Sequence, residues 1–386
     1  MIAEYLELFL FLAIFVLILF GFPVAFTLAG VALIFAVIGA WMGEFQLRQL
    51  SFLPQRIFGT MSSEVLIAAP MFIFMGLVLE RSQIAADLLT SMAKLFRGMR
   101  GGLALSVVLV GMLMAASTGI VGATVVTMGL IALPVMLKAG YDPRLATGTI
   151  CASGTLGQVI PPSIVLVFLG DVLTYANQQA NLKAGNFAGK SVGVGDLFAG
   201  SLIPGLLLVG LYAIYIIAIA WLKPERAPVP LPEPGEQAMS KRERLALLLN
   251  GLLPPGILIV AVLGSILTGI ATPTEAAGVG AVGAVILAAR RAVPRLAPLF
   301  WAGIVASIAL IVINGFFDLL IQRDNFSPTE QVMLWVAMGL VAVVLASVVA
   351  ACWALFQTRQ LTPVVEQTGL ITAMIFAVLV GASLFS

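Results

Sequence analysis

Residues 115–124 read Ala-Ala-Ser-Thr-Gly-Ile-Val-Gly-Ala-Thr and lie in the middle of a long apolar region. A second polar interruption, Ser-Gly-Thr-Leu-Gly-Gln-Val-Ile-Pro-Pro-Ser, occupies residues 153–163. Main chain inside a bilayer can leave the helical conformation only where protein or a water-filled cavity satisfies its N–H and C=O groups. Two helix breaks bordered by small polar residues are what a solute pathway needs. The sequence therefore predicts a membrane transporter with broken helices.

The composition is that of a membrane protein. Hydrophobic residues make up 61% of the 386 residues and charged residues only 10%, which is more apolar surface than a water-soluble core could hide. The net charge of +2 gives no reason to expect nucleic-acid binding. The absence of histidine from the sequence excludes imidazole acid–base chemistry and histidine metal sites. Cys151 and Cys352 lie in apolar segments, so neither a disulfide nor a cysteine metal site is expected.

Apolar runs of about 17–25 residues are long enough to cross a bilayer, and we predict an all-α polytopic membrane protein with about 10–12 membrane segments. The first run lacks a basic leader and a cleavage site, so it is predicted to be a retained span. The short run 64–79 is either one arm of a re-entrant hairpin or a span completed by its flanks. The other candidates are roughly 6–23, 24–42, 101–120, 123–139, 145–170 (broken), 197–222, 245–268, 275–292, 297–321, 332–356 and 366–385.

Three connecting segments have distinct compositions. Residues 80–100 place Leu88, Leu89 and Met92 against charged residues, which predicts an amphipathic helix at the membrane interface, with a solvated connector as the alternative. Residues 223–244 are proline-rich at their start, where a regular helix is excluded, and their basic residues predict a cytoplasmic position. Residues at about 173–196 carry fewer cations and are predicted to be a loop on the other side.

Residues 21–40 and 269–288 resemble each other. Eight of 20 positions are identical at a constant offset of 248, among them Gly21 and Gly269. Small apolar residues match easily by chance in such a composition, so the likeness alone does not decide that a unit is duplicated. Transporters built from repeats commonly place solute and ion sites where the repeats meet.

The first interruption supplies oxygen atoms of the kind that hard cations prefer. Ser117, Thr118 and Thr124 carry hydroxyl groups, while Gly119 and Gly122 permit backbone turns that other residues avoid. An unwound helix also exposes carbonyl oxygens, which can coordinate Na⁺. The alternative is that these small residues only let neighbouring helices pack closely.

The second interruption is more specific. Pro161 and Pro162 remove two backbone donors, so that carbonyl groups around Gly157 and Gln158 become available to a ligand. A new helix can begin near Ser163, where its N-terminal dipole favours an anionic group. The alternative is a kinked helix that serves packing. The remaining small and polar residues predicted to belong to this site are Ser153, Gly154 and Thr155.

Two acidic residues fit the starts of helices. Thr272, Pro273 and Glu275 match an N-terminal capping arrangement, and we prefer this interpretation to a transport role for the carboxylate. Asp142 and Pro143 likewise predict a turn that begins the next helix. Neither residue is therefore included in the predicted site.

Several long motifs occur here in a fixed order, namely residues 115–124, 131–143, 146–149, 153–157, 160–163 and 272–277. Together they closely resemble the large membrane subunit of tripartite ATP-independent periplasmic (TRAP) transporters. The resemblance runs from about residue 10 to 290 and resumes at about 365–386. It implies a multi-pass protein of the bacterial inner membrane that imports small organic acids by symport with Na⁺, and no cofactor other than this coupling ion.

The resemblance also implies partners and a fold. The partners are a small four-helix membrane subunit and a periplasmic solute-binding protein, with an organic anion as cargo. The fold is an inverted repeat whose moving part carries hairpins and broken helices and works as an elevator. Site residues implied in this way are Ser117, Thr118, Gly119, Gly157, Pro161, Pro162 and Ser163, and Na⁺ is expected at Ser117, Gly119, Gly157 and Pro161.

Members of this family generally continue well beyond the position of Ser386, so the second repeat is expected to be incomplete and the chain truncated. The predicted organisation is 1–63 scaffold-like helices, 64–172 first transport unit, 173–222 loop and span, 223–244 linker, 245–296 start of the second repeat, 297–361 inserted pair of spans, and 362–386 start of the truncated second transport unit.

Two other classes of function were compared with the transporter. A truncated, non-transporting paralogue or scaffold that binds the small membrane subunit is the alternative. An intramembrane enzyme is not expected, because the sequence has no histidine and no obvious membrane-embedded aspartate pair or Ser–Lys arrangement.

Overall fold

The computed structural model describes residues 5–63, 65–96, 98–119, 121–186, 192–229, 240–247, 253–316 and 328–385. Throughout these ranges the regular secondary structure is helical, which confirms the all-α prediction. In chain order the helices are α1 (Leu6–Leu19), α2 (Val24–Met42), α3 (Leu53–Met61), α4 (Ala68–Arg81), α5 (Ile84–Leu95), α6 (Gly102–Thr118), α7 (Val121–Lys138), α8 (Pro143–Thr155), α9 (Ile164–Lys183), α10 (Val194–Leu222), α11 (Lys241–Leu247), α12 (Leu253–Leu267), α13 (Pro273–Ala292), α14 (Ala297–Phe316), α15 (Pro328–Gln357) and α16 (Leu361–Phe385).

Five helices in the described part of the chain are long and apolar enough to cross a membrane, or up to seven spans if each of two bent helix pairs counts as one. This number is lower than the predicted 10–12 because several predicted segments, such as α1 and α12, are apolar helices of fewer than 18 residues. Large apolar side chains face outward, with Trp41 90% and Trp221 85% exposed. A lipid environment accounts for such a surface, and the chain is a polytopic membrane protein.

One compact unit consists of residues 1–70 and 366–386. Within it α1 packs against α2, and the rings of Phe11 and Phe385 meet edge to face with their centroids 5.4 Å apart. The apolar faces of these helices are mostly uncovered within the described structure. Helix burial inside this unit is therefore slight, as expected where lipid covers the remaining surface.

The second unit consists of residues 71–365, and its core surrounds α6. This helix contacts α5, α7, α8 and α10, so its side chains are buried on most sides. Val107 of α6, Met128 and Met136 of α7 and Leu156 after α8 are fully buried in one hydrophobic cluster. An all-round apolar helix needs this kind of central position or a lipid surround. The core therefore holds the two interrupted regions side by side.

The likeness between residues 21–40 and 269–288 extends to local geometry. Gly21 follows α1 with φ +85°, and Gly269 follows α12 with φ +72°. The N–H of Gly21 donates to the carbonyl of Ile18 at 2.9 Å, and the N–H of Gly269 donates to the carbonyl of Ile266 at 3.1 Å. A glycine in the left-handed region commonly closes a helix in this way. In both segments, the same kind of glycine turn thus separates the end of one helix from the start of the next.

Two connecting segments differ from their predictions. The amphipathic helix expected within 80–100 is α5, but Leu88, Leu89 and Met92 are buried in the protein core rather than open to the interface. The loop predicted at 173–196 is wrong for residues 173–183, because α9 continues to Lys183. Polar residues that tolerate a helix extend α9 here, since no glycine or proline interrupts residues 171–183.

The start of the predicted linker packs on the protein. Pro224–Arg226 form a 3₁₀ turn, and Ala227 is fully buried. The carbonyl of Ala227 accepts a hydrogen bond from the N–H of Gly101 at 3.1 Å, and the carbonyl of Arg226 accepts one from the N–H of Asp142 at 3.0 Å. Residues 230–239 of the linker lie outside the described part of the structure.

Candidate functional site

The first predicted helix break is present. Helix α6 ends at Thr118 and α7 begins at Val121. Between them the buried Gly119 has φ +59°, a conformation that residues with a β-carbon rarely adopt. A β-carbon at this position would also lie 3.0 Å from Cγ1 of Ile164. Glycine is therefore required here by both conformation and space. The side chains of Ser117 and Thr118 lie outside the described structure.

The second predicted break is present as well. Helix α8 ends at Thr155, Leu156–Gln158 form a 3₁₀ turn, and α9 begins at Ile164. The Pro161–Pro162 peptide is cis, and Gly157, Pro161 and Pro162 are all buried. The break thus occupies the residues that the double proline predicted.

Ser163 joins this turn to the helix that follows it. Its hydroxyl donates to the carbonyl of Gln158 at 2.9 Å and accepts from the N–H of Leu166 at 3.4 Å. The second bond is an N-terminal cap of α9, which confirms the predicted helix start. Ser163 therefore anchors α9 to the 3₁₀ turn.

A side-chain hydrogen bond brings the two breaks together. Nε2 of Gln158 donates to the carbonyl oxygen of Gly119 at 3.2 Å, across 39 residues of sequence. The other amide atom of Gln158, Oε1, is buried and accepts no hydrogen bond from the described residues. Gly119, Gln158 and Ser163 are hereafter the break junction. It combines main-chain carbonyls with the amide oxygen of Gln158, and oxygen atoms of this kind suit a hard cation.

Other predicted site residues lie on the neighbouring helices. Thr124 of α7 is fully buried, and so is Ser153 of α8, whose hydroxyl donates to the carbonyl of Ile150 at 3.1 Å. Gly154 faces Val125 so closely that a β-carbon would overlap it. The packing interpretation thus accounts for Gly154, which lets α7 and α8 approach closely, and for Ser153, which lies against Gly111 of α6.

Two predicted residues are exposed. Gly122 lies in the first turn of α7 with open space around it. Thr155 ends α8, and its hydroxyl donates to the carbonyl of Ala152 at 2.7 Å. The structure therefore does not bring these two residues into the break junction.

A cavity of about 100 Å³ lies between α6, α8 and α10. Arg144, Thr149 and Tyr212 are among the residues that line it. It opens beside the first two turns of α8, which precede the 3₁₀ turn. None of these three residues was predicted as a site residue, because a cavity depends on packing between helices that are distant in the sequence.

The sequence also did not predict a half-buried side-chain contact in the same unit. The hydroxyl of Thr127 in α7 donates to Oε1 of Glu80 in α4 at 2.5 Å. The available signal was an acidic residue at the end of the apolar run 64–79. The two helix breaks give no indication of this contact, because neither Glu80 nor Thr127 lies in a break.

Glu275 has the predicted capping role. Its Oε2 accepts from the backbone N–H of Thr272 at 2.8 Å, and its own N–H donates to the hydroxyl of Thr272 at 3.3 Å. These reciprocal bonds form a capping box at the start of α13. Asp142 likewise caps α8, since its Oδ1 accepts from the N–H of Arg144 at 2.8 Å.

Comparison with known families gives a match over most of the chain. The model of the DctM component of the tripartite ATP-independent periplasmic transporter matches residues 11–295. The chain belongs to this family. The matched range contains the break junction and the capping box of α13, and it ends just before α14. DctM family members are transporters rather than enzymes.

Relatives within the DctM family are named for different transported solutes. The chain is 33% identical over 276 residues to the C4-dicarboxylate TRAP transporter large permease protein DctM of Vibrio cholerae, a match covering 71% of this chain and 53% of the relative. It is 31% identical over 271 residues to the ectoine TRAP transporter large permease protein TeaC of Halomonas elongata, covering 70% and 56%. It is 27% identical over 267 residues to the sialic acid TRAP transporter large permease protein SiaM of Vibrio cholerae, covering 69% and 55%. The chain spans about half the length of the curated relatives it matches.

Proposed function

We propose that this chain acts as the large permease subunit of a Na⁺-coupled, binding-protein-dependent transporter that imports small organic acids across the bacterial inner membrane. The observation that carries this proposal is the break junction, where the amide of Gln158 meets the carbonyl of Gly119 at 3.2 Å. Two helix breaks that contact each other inside an apolar core supply unwound main chain at one place.

The break junction supports a sodium site for three reasons. Oε1 of Gln158 is a buried acceptor that lacks a donor among the described residues. The carbonyl of Gly119 has a second lone pair besides the one that accepts from Nε2. Oxygen atoms of this kind are the ligands that hard cations require. We therefore add Gln158 to the ligands expected from Ser117, Gly119, Gly157 and Pro161.

An anionic cargo fits the start of α9. Helix N-termini carry partial positive charge and bind carboxylate or phosphate groups. Ser163, a member of the break junction, is the N-cap of this helix. Relatives are named for C4-dicarboxylates and for sialic acid, which are organic anions. The substrate class that we propose is accordingly a small carboxylate.

The family relationship supports two protein partners, a small membrane subunit and a periplasmic solute-binding protein. We further propose that the α6–α7 hairpin and the broken pair α8–α9 belong to the moving part of an elevator with inverted repeats. The matching glycine turns at Gly21 and Gly269 support the duplication.

Ion binding can be measured on the purified chain by itself. Thermal unfolding in detergent would be compared in sodium, potassium and choline chloride at equal ionic strength. Binding to the folded state stabilises it by about 2.7 kcal/mol at a ligand concentration one hundred times the dissociation constant. We expect sodium alone to raise the unfolding midpoint. Equal midpoints in the three salts would contradict a sodium site.

Transport requires the chain together with its partners. Cells that produce this chain, the small membrane subunit and the binding protein should take up a radiolabelled carboxylate, and the uptake should stop when the sodium gradient is dissipated. Uptake that persists without the gradient would contradict sodium coupling. Co-purification with the small subunit without any uptake would instead support the scaffold alternative.

A further inference from the structure

The cavity between α6, α8 and α10 brings several hydrogen-bond donors together. Arg144, Thr149, Tyr212 and Tyr215 all line it. No hydrogen bond or ion pair links these four side chains to the residues that the structure describes. An arginine side chain carries five N–H donors and no acceptor, and each hydroxyl adds one donor. The cavity therefore offers a surplus of donors, which suits an anionic group.

The acidic residue nearest to Arg144 in the sequence does not neutralise it. Oδ1 of Asp142 accepts from the backbone N–H of Arg144 at 2.8 Å, and Oδ2 of Asp142 faces Nε of Arg226 at 3.6 Å. No acidic side chain is among the described residues that line the cavity. The charge of Arg144 is thus left for a ligand, and a planar guanidinium group can bind two oxygen atoms of a phosphate at once.

The cavity lies near one end of α10. The backbone N–H of Asp142, just before α8, donates to the carbonyl of Arg226, just after α10, at 3.0 Å. Helix α10 has 29 residues, so it is about 43 Å long, whereas the hydrocarbon core of a bilayer is about 30 Å thick. If the excess is shared between both ends, Tyr215 lies within about 5 Å of the boundary between hydrocarbon and head groups. Tyrosine and tryptophan are enriched at this depth, and Trp221 is exposed further towards the same end.

An apolar surface continues from the cavity along α10. Val108 of α6 forms part of the inner wall of the cavity. On the outside, Tyr215 is followed at intervals of four residues by Leu211, Leu207 and Ile203, all of them exposed. Residues four apart are neighbours on a helix surface, so this stripe runs for about 18 Å towards the middle of the helix. One leaflet of the hydrocarbon core is about 15 Å thick, which is the depth that an acyl chain covers.

We propose that this cavity binds an anionic phospholipid, whose phosphate contacts Arg144 and the tyrosine hydroxyls while an acyl chain lies along the exposed stripe of α10. A free anion would use the donors but not the stripe. A zwitterionic lipid would bring an ammonium group, for which the described lining offers no carboxylate. Basic pockets between membrane helices bind acidic lipid head groups. The site is separate from the break junction, because it lies beside the first two turns of α8.

Native mass spectrometry of the full chain in detergent measures the bound lipid directly. Phosphatidylglycerol and phosphatidylethanolamine with the same acyl chains would be titrated separately, and inorganic phosphate would be added as a competitor. We expect one molecule of phosphatidylglycerol to bind about tenfold more tightly than phosphatidylethanolamine. Equal affinities for the two lipids would overturn the proposal. Displacement of phosphatidylglycerol by an equal concentration of inorganic phosphate would also overturn it, because the site would then recognise a soluble anion.

Arg144→Gln tests the contact with the phosphate. The substitution removes the charge and most of the donors, so we expect phosphatidylglycerol to bind about tenfold more weakly. Arg295→Gln is the matched control, because Arg295 is exposed in the 3₁₀ turn before α14 and does not line the cavity. Unchanged binding in Arg144→Gln, or an equal loss in Arg295→Gln, would overturn the proposal.

Gly148→Leu tests the cavity itself while Arg144 stays in place. Gly148 lines the cavity, and a β-carbon built on it meets no atom within 4 Å. A leucine side chain therefore has room to occupy the space of the lipid, and leucine is the better helix former, so the unfolding midpoint should not fall. Gly129→Leu in α7, where a β-carbon also meets open space, is the control. We expect Gly148→Leu to abolish the preference for phosphatidylglycerol and Gly129→Leu to keep it. A Gly148→Leu variant that retains the preference would overturn the proposal.

Discussion

Gln158 and Gly119 join the two helix breaks through a hydrogen bond of 3.2 Å from Nε2 to the main-chain carbonyl. The bond satisfies a carbonyl that has left the α6 helix, and Oε1 of the same amide is buried without a donor among the residues that the structure describes. One side chain thus stabilises a break and also offers an acceptor to a ligand. One substitution tests both roles.

Gln158→Leu preserves most of the side-chain volume but removes the amide. It leaves the buried carbonyl of Gly119 without its donor, and we expect a loss of about 1–3 kcal/mol in unfolding free energy. The sodium-dependent rise of the unfolding midpoint should disappear as well. Gln178→Leu is the matched control, because Gln178 is exposed on α9. A Gln158→Leu variant that remains stable and sodium-responsive would contradict both roles.

Gly119→Ala tests the conformation of the first break. An alanine at φ +59° is strained, and its β-carbon would press on Ile164. We expect destabilisation of about 1–3 kcal/mol, measured as a lower unfolding midpoint. Gly122→Ala makes the same chemical change three residues later, in open space and within α7. It should be neutral or stabilising by up to about 1 kcal/mol. Equal effects of the two substitutions would contradict the assigned break geometry.

The capping box of α13 predicts a difference between two substitutions of Glu275. Glu275→Ala removes the acceptor for the N–H of Thr272, so it should lower the free energy of unfolding. Glu275→Gln keeps a carbonyl oxygen at the same place, so it should retain most of the stability. Chemical denaturation measures both. If Glu275→Gln instead abolished the sodium-dependent stabilisation, the carboxylate would be an ion ligand rather than a cap.

Asp142 makes two interactions of unequal strength. It caps α8 through a 2.8 Å bond from the N–H of Arg144, and it faces Nε of Arg226 at 3.6 Å in a partly exposed ion pair. Asp142→Ala should lower the unfolding free energy by about 1 kcal/mol, because a helix cap is lost. Arg226→Ala should cost less than about 0.5 kcal/mol, since exposed ion pairs contribute little. A larger effect of Arg226→Ala would show that this contact, rather than the cap, stabilises the turn.

The boundaries of α2 show what the sequence predicts well. The predicted span 24–42 is the observed Val24–Met42, because Gly21 and Pro23 precede it and Gly43 closes it in the left-handed conformation. Local backbone restrictions mark both ends. Residues 173–183 show the opposite case. Hydropathy indicates which residues lie in the bilayer, but it does not indicate where a helix ends when polar residues continue it.

Part of the candidate site was predicted because local backbone preferences are visible in the sequence. Gly119 permits a left-handed backbone conformation and the double proline excludes a regular helix, so both breaks were visible in the sequence. The partnership of Gln158 with Gly119 spans 39 residues, and that of Glu80 with Thr127 spans 47. Contacts between residues so far apart in the sequence depend on how helices pack against each other, and hydrophobic periodicity does not determine that packing.

A continuous path of polar contacts runs from Gly119 to α9. It passes from the Gly119 carbonyl to the Gln158 amide, and from the Gln158 carbonyl through the Ser163 hydroxyl to the N–H of Leu166. Sliding α9 along its own axis would therefore pull on the end of α6, although more than 40 residues of chain separate them. Amide protons on either side of this path should exchange with deuterium at matching rates, as one cooperative opening unit.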